Sequence, residues 1–251
     1  MKTELKNAIS NLLLNLADDE LILAHRNSEW TGHGPILEED IAFTNIALDE
    51  MGHAHMWYKV YAELNDVDPD QLAFFREATD FRNVQMVELP IGDWAFSMLR
   101  QYLFDAYELI ILGTLAQSQF QPIADAAAKI RTEEMYHLRH TQSWVARLGL
   151  GTAVSQQKMQ VALDELWPYA QQLFTVKEDE ALLLQEGVLV AETAVLVEQW
   201  RNATQTHLTE SGLTVPKTDP SDIQRNMHTE QLAALLTEMQ SVARLDPQAQ
   251  W

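Results

Sequence analysis

The chain holds 251 residues, enough to bury a full core, and its scarce breakers (9 Gly, 8 Pro) among abundant helix formers point to a mostly helical protein. A formal net charge of −20 argues against binding nucleic acid or an anionic membrane surface, because phosphate would be repelled. With no cysteine there are no disulfides, thiolate ligands or iron–sulfur clusters, which fits a reducing cytoplasm.

At the N-terminus, acidic and amide residues interrupt the apolar run, so it does not read as a signal peptide. No window of about 18 apolar residues reads as a membrane span. The expectation is a soluble, cytoplasmic, acidic helical protein.

The first helical pattern covers roughly residues 4–27, with Leu13, Leu16, Ala17, Glu20, Leu23 and Ala24 on one stripe. After a turn at Thr31-Gly32-His33-Gly34-Pro35, a second helix is expected over about 37–64. Its inward face carries Phe43, Ile46, Glu50, His53, Trp57 and Tyr61. Residues 65–91, rich in Asp, Asn and Pro, read as a long connection. Gly92-Asp93 opens a third helix to about residue 119, with Phe104, Glu108, Ile111 and Leu115 in line. Pro122 opens a fourth to about residue 148, with Ile123, Ile130, Glu134, His137, Thr141 and Trp144 on one face, and Gly149 and Gly151 end it. Two short-loop hairpins joined by one long crossover form a ferritin-like four-helix bundle. Further helices are expected near 155–174, 177–205 and 224–243, and 209–227 reads as an exposed loop. The whole is expected to be one all-α domain over 1–251, with a metal-binding core at about 4–148 and accessory helices at about 155–243.

Each hairpin carries the same device. Glu20 precedes Glu50-Met51-Gly52-His53 by 30 residues, and Glu108 precedes Glu134-Met135-Tyr136-His137 by 26. Residues at i and i+3 share a helical face, so each Glu-x-x-His offers a carboxylate and an imidazole to one point, and the lone Glu meets them across the hairpin. Four carboxylates and two imidazoles are the donor set of a di-iron or di-manganese site. One Glu-x-x-His is weak, since about one arises by chance at this composition. The joint arrangement on apolar stripes is the signal, because an ionised carboxylate there costs several kcal/mol unless paired or metal-bound. The competing reading is a buried Glu–His network without metal.

Acidic residues stand beside the ligands: Asp49 before Glu50, Glu133 before Glu134, and Asp105 one turn before Glu108. Metal-bound histidine donates its other N–H to such a group, so Asp49 is expected to reach His137 and Glu133 to reach His53. Solvated acids are the alternative. His25, His33, His55, His140, His207 and His228 lack matching carboxylate spacing and read as surface or packing residues. Trp30, Trp57 and Trp144 read as core, and Glu186 could be buried with nothing to pair with it.

The runs Glu29-Trp30-Thr31-Gly32-His33, Asn45-Ile46-Ala47-Leu48-Asp49 and Arg100-Gln101-Tyr102-Leu103-Phe104-Asp105-Ala106 resemble the phenylacetic acid catabolic proteins. So do Tyr136-His137-Leu138-Arg139, Arg147-Leu148-Gly149, His228-Thr229-Glu230, Glu238-Met239-Gln240 and Gln250-Trp251. The likeness spans nearly the whole chain and is strongest to the C-type subunits of the multicomponent phenylacetyl-CoA epoxidases. It implies a ferritin-like member of a complex that converts phenylacetyl-CoA to its ring-1,2-epoxide, with an A-type partner and an external reductase. C-type members are usually described as structural, with a degenerate metal site. Here Glu20, Glu50, His53, Glu108, Glu134 and His137 are all present, a departure that puts the purely structural role in doubt.

Two functions remain open on the residues alone. One is a di-iron oxygenase component, with two iron ions (manganese being possible) and electrons from a separate reductase. The other is a non-catalytic partner whose metal site is silent or stabilising. Iron storage is a weaker third. No CoA-binding residue can be named, and a homo- or hetero-oligomer is expected.

Overall fold

The computed structural model describes residues 1–174, 179–217 and 223–247. Among these are eleven α-helices, one 3-10 turn and no strand. No described helix is long and apolar enough to cross a membrane. Contacts group the described residues into two compact units, one of residues 10–90 and 223–247, the other of residues 1–9, 91–174 and 179–217.

The unit of residues 10–90 is built on α1 (Thr3–Ser28) and α2 (Leu37–Asn65), close to the expected bounds. They run antiparallel, with Asn65 donating to Ser10 Oγ (3.0 Å), Tyr58 to Asp18 Oδ1 (2.5 Å) and the Thr31 and Thr44 hydroxyls 3.1 Å apart. The intervening turn passes through Gly32 at φ 83°, and the Gly32 and Gly34 N–H groups both donate to Asp40 Oδ1 (2.7 and 3.1 Å). From Leu16 to Ala24 every residue of α1 is buried, including Asp18 and Asp19, so this stretch has no solvent face. On α2 the tyrosine of the inward face is Tyr58, not Tyr61. Tyr58 is 3% exposed because its hydroxyl is drawn onto Asp18, while Tyr61 is only half-buried.

Residues 65–91 are more than a connection. They hold α3 (Pro69–Phe74), a 3-10 turn (Ala78–Asp80) and α4 (Gln85–Glu88), and they bury Phe81, Val84, Met86, Val87, Asn83 and Glu88. Their side chains face α1 and the C-terminal segment, which no local periodicity announces. The single helix expected at 224–243 is two: α10 (Glu230–Met239), capped by the Thr229 hydroxyl accepting from Gln231 N, and α11 (Ser241–Leu245). Residues before 230 stay out of the helix because Arg225 and His228 are held by partners on other segments.

In the other unit the central element is α5 (Trp94–Leu115), buried on all sides from Ala95 to Glu108, the polar Arg100, Gln101, Asp105 and Glu108 included. Asp93 caps it by accepting from Phe96 N (3.1 Å), and Gly92 at φ 61° leaves room for the Phe96 ring. It packs on α6 (Gln121–Gly149), α7 (Ala153–Ala170) and α9 (Thr193–Glu210). Gly149 and Gly151 do not end α6 through a left-handed cap. A Cβ on Gly149 would lie 2.2 Å from the Ser211 carbonyl oxygen, and one on Gly151 would lie 2.8 Å from the Arg147 oxygen, so close backbone approach is what requires them. The helix expected at 177–205, whose residues 177 and 178 lie outside the described residues, is broken. α8 (Glu180–Gln185) stops at Gly187, whose φ of 69° turns the chain before α9 begins. Residues 209–227 are not uniformly exposed either: Ser211 and Leu213 pack in this unit, and Arg225 is buried in the other. Positions 218–222 of that segment, and the Gln250-Trp251 pair, lie outside the described residues.

Candidate metal centre

All six expected ligands are at most 1% exposed: Glu20, Glu50, His53, Glu108, Glu134 and His137. In the unit of residues 10–90, the antiparallel pairing brings Glu20 of α1 opposite the Glu50/His53 face of α2. His53 Nδ1 stands 3.8 Å from Glu20 Oε2 and 3.5 Å from Glu50 Oε2. Two donors on one ion at about 2.1 Å lie about 3–4 Å apart, so this trio has the spacing of ligands around a shared cation.

In the other unit His137 Nδ1 lies 2.6 Å from Glu134 Oε1, one helical turn away on α6. The register of α5 against α6 is set by Asp105, which accepts from Thr141 Oγ1 and from Gln101 Nε2, each at 2.6 Å. Glu108 stands three residues beyond Asp105, and His137 four residues before Thr141. At about 1.5 Å of rise per residue in antiparallel helices, both steps run the same way along the bundle and bring Glu108 level with His137. Asp105 is therefore a fully buried acid that aligns the hairpin. Asp49 and Glu133 are half-buried.

The donor chemistry suits the group it would hold. Each trio combines two carboxylates with one imidazole in a dry setting, the mixture that hard, redox-active cations take. Four carboxylates without cations would carry a desolvation cost of several kcal/mol each.

A model of the phenylacetic acid catabolic proteins matches residues 1–251. This chain belongs to the phenylacetic acid catabolic protein family. Its fold is accordingly all-α and ferritin-like, with additional C-terminal helices. Over 248 residues the chain is 38% identical to the C-type subunit of the 1,2-phenylacetyl-CoA epoxidase of Escherichia coli (strain K12), covering 98% of this chain and all of that one. The A-type subunit of the same organism's epoxidase is 23% identical over 167 residues, 66% of this chain and 53% of its own length. The resemblance seen in the sequence to this family and to its C-type members is thereby upheld, and membership carries a role in phenylacetate catabolism.

The buried acids that this family member places beside Glu20 went unnoticed in the sequence. Asp18 accepts from Tyr58 Oη and from Arg82 N (2.7 Å), and Arg76 forms an ion pair with it. Burial acts to lower the pKa of Arg76, but the Asp18 carboxylate more than offsets this and raises it. Asp19 accepts from Val84 N and from Arg225 Nη1, both at 2.7 Å. Burial pushes its carboxyl up to about 6, against the downward pull of Arg225. Glu88, also fully buried, accepts from His228 Nδ1 (2.6 Å), from the backbone N–H and hydroxyl of Thr229 (2.7 Å each) and from Asn83 Nδ2. His228 is thus a partner of a buried carboxylate, where spacing along the chain suggests none. The usable signal was Asp18-Asp19-Glu20 itself: three acids in a row inside a run otherwise apolar from Leu16 to Ala24. The remaining histidines pack or face outward as expected, with His207 lying 5.1 Å from the Tyr102 ring centroid. Trp57 is core, whereas Trp30 and Trp144 are half-buried, Trp144 edge-on to Trp94 at 5.8 Å. Glu186 is half-buried.

Proposed function

We propose that this protein is the C-type component of a multicomponent oxygenase that converts phenylacetyl-CoA to its ring-1,2-epoxide, and that Glu20, Glu50, His53, Glu108, Glu134 and His137 hold two iron ions in it, manganese being the alternative metal. The observation that carries this reading is the pair of fully buried carboxylate–imidazole sets, one on each hairpin. When bound, the metal pair supplies the redox chemistry of oxygen insertion. The chain's own part is to present the ligands, exclude water and fix each imidazole, with Asp49 reaching His137 and Glu133 reaching His53 as the acceptors of their second N–H groups.

The similarity to both the C-type and the A-type epoxidase proteins supports assembly with an A-type partner, with electrons arriving from an external reductase. Leu37, Ile41 and Leu48, exposed at 70%, 54% and 65% along α2, offer apolar surface to such a helical partner. A second reading is favoured by the higher identity to the C-type than to the A-type relative: a non-catalytic partner whose metal site is silent.

One experiment separates them. Anaerobic reconstitution with ferrous iron is expected to return about two metal ions per chain. In the complex reconstituted with an A-type partner and reductase, Glu108→Ala and His137→Ala are expected to abolish epoxidation of phenylacetyl-CoA while the helical circular-dichroism signal persists. Less than a few tenths of a metal ion per chain ends the metal reading. Full activity of both variants leaves the chain as the silent partner.

A further inference from the structure

Besides the Tyr58 hydroxyl of α2 on Asp18, Glu20 sits between pins that lead away from the hairpin. On one side Asp18 and Asp19 are held, by Arg76 and Arg82 N and by Val84 N and Arg225 respectively. Two turns further on, Arg26 Nε and Nη2 both donate to the carbonyl oxygen of Glu88 (3.0 and 2.8 Å). Every one of these pins but Arg225 comes from residues 76–88. That strip is in turn strapped by the C-terminal segment: Arg225 Nη1 donates to Arg82 O (3.0 Å), His228 and Thr229 bind the Glu88 carboxylate, and Gln240 Nε2 donates to Ala73 O and Arg76 O (3.0 and 3.1 Å). Arg225 reaches through to α1, across 206 residues of sequence, and it is 8% exposed.

Neighbouring residues on a helix point about 100° apart, so holding Asp19 fixes the rotation of α1 and with it the direction of Glu20. A side-chain head about 5 Å from the axis moves about 1 Å for a 10° turn of the helix. Ligand sets lose affinity on displacements of about half that size. We infer that Arg225 is a positioning residue for the metal centre: by clamping Asp19 it sets Glu20 against Glu50 and His53, so that docking of the C-terminal segment and metal retention are linked. This rests on the metal reading proposed above and adds the device that tunes it. The strap is a charge pair in a dry place, so neither member is replaceable by a merely space-filling residue. Lysine, with its charge but without the fork, restores it in part.

The test uses the full chain and ferrous iron or Co²⁺ alone, titrated anaerobically, with apo-protein stability and hydrogen exchange of the α1 amides measured alongside. Arg225→Met is expected to weaken binding about 10- to 100-fold, as loss of an outer-shell partner does. It should speed exchange around Glu20 in the apo protein, and Arg225→Lys should recover part of the affinity. Arg244→Met is the control. Arg244 fastens the same segment to Phe74 O, Arg76 O and Glu77 without touching α1, so its loss is expected to lower stability while leaving affinity within about twofold. Should Arg225→Met not accumulate folded, Asp19→Asn is read in its place with the same expectation. Unchanged affinity in the Arg225 or Asp19 variant, or an equal loss in Arg244→Met, overturns the inference while the metal reading stands. A wild-type protein that takes up no metal fails the metal reading itself.

Discussion

The two hairpins carry the same ligand device and support it in opposite ways. On α5 and α6 the buried acid next to the ligands, Asp105, is held by a neutral amide and a neutral hydroxyl, Gln101 and Thr141, both from the hairpin itself. On α1 the buried acids Asp18 and Asp19 are held by two guanidinium groups, Arg76 and Arg225, from segments 58 and 206 residues away. Gln101 and Thr141 support Asp105 from within its own hairpin, whereas Asp18 and Asp19 draw their guanidinium partners from the crossover and the C-terminus. Two copies of one motif can thus be equally buried and yet differ in how much of the chain must fold before each is in place.

The largest effect should come from breaking the charged support. Arg76→Ala leaves Asp18 buried without its counter-charge and is expected to cost about 3–5 kcal/mol in denaturant unfolding. A loss under about 1 kcal/mol would mean that Tyr58 and Arg82 N suffice to hold Asp18, and the contrast between the hairpins would vanish.

A smaller effect is expected on the other side. Thr141→Val keeps the shape but removes a neutral donor to Asp105, at a cost of about 1–3 kcal/mol by the same measurement. If it equalled or exceeded the Arg76 effect, the neutral support would be the stronger of the two.

The smallest effect concerns pH. Burial lowers the pKa of His207, whose Nε2 lies 3.2 Å from Gln142 O in the α5–α6 unit. A histidine depressed in the folded state takes up its proton first in the unfolded chain, near pH 6.5. Its contribution to stability is therefore complete above about pH 6.5 and is lost as pH falls below that towards the folded value. Melting temperature measured from pH 8 to pH 5.5 should decline more steeply in the wild type than in His207→Gln. Parallel curves would remove His207 as the source.

The sequence by itself determined the long helices α1, α2, α5 and α6 to within a few residues, and marked Glu20, Glu50, His53, Glu108, Glu134 and His137 as buried polar residues. Both depend on periodicity: apolar residues recurring at helical spacing mark the buried face, and a Glu or His on that face betrays itself by being polar there. Asp18 and Asp19 escaped this logic because α1 is buried on all sides at that level, so a stripe with an outer face does not exist to read. Gly149 and Gly151 were legible as important but not in what they do, since the approach of the Ser211 carbonyl to Gly149 is a tertiary fact. What only the tertiary structure decided was the company these residues keep: Arg225 with Asp19, His228 with Glu88, Arg76 with Asp18. Ion pairs spanning tens to hundreds of residues leave no periodic trace, because their energy depends on proximity in space and burial from water, and neither is a function of separation along the chain.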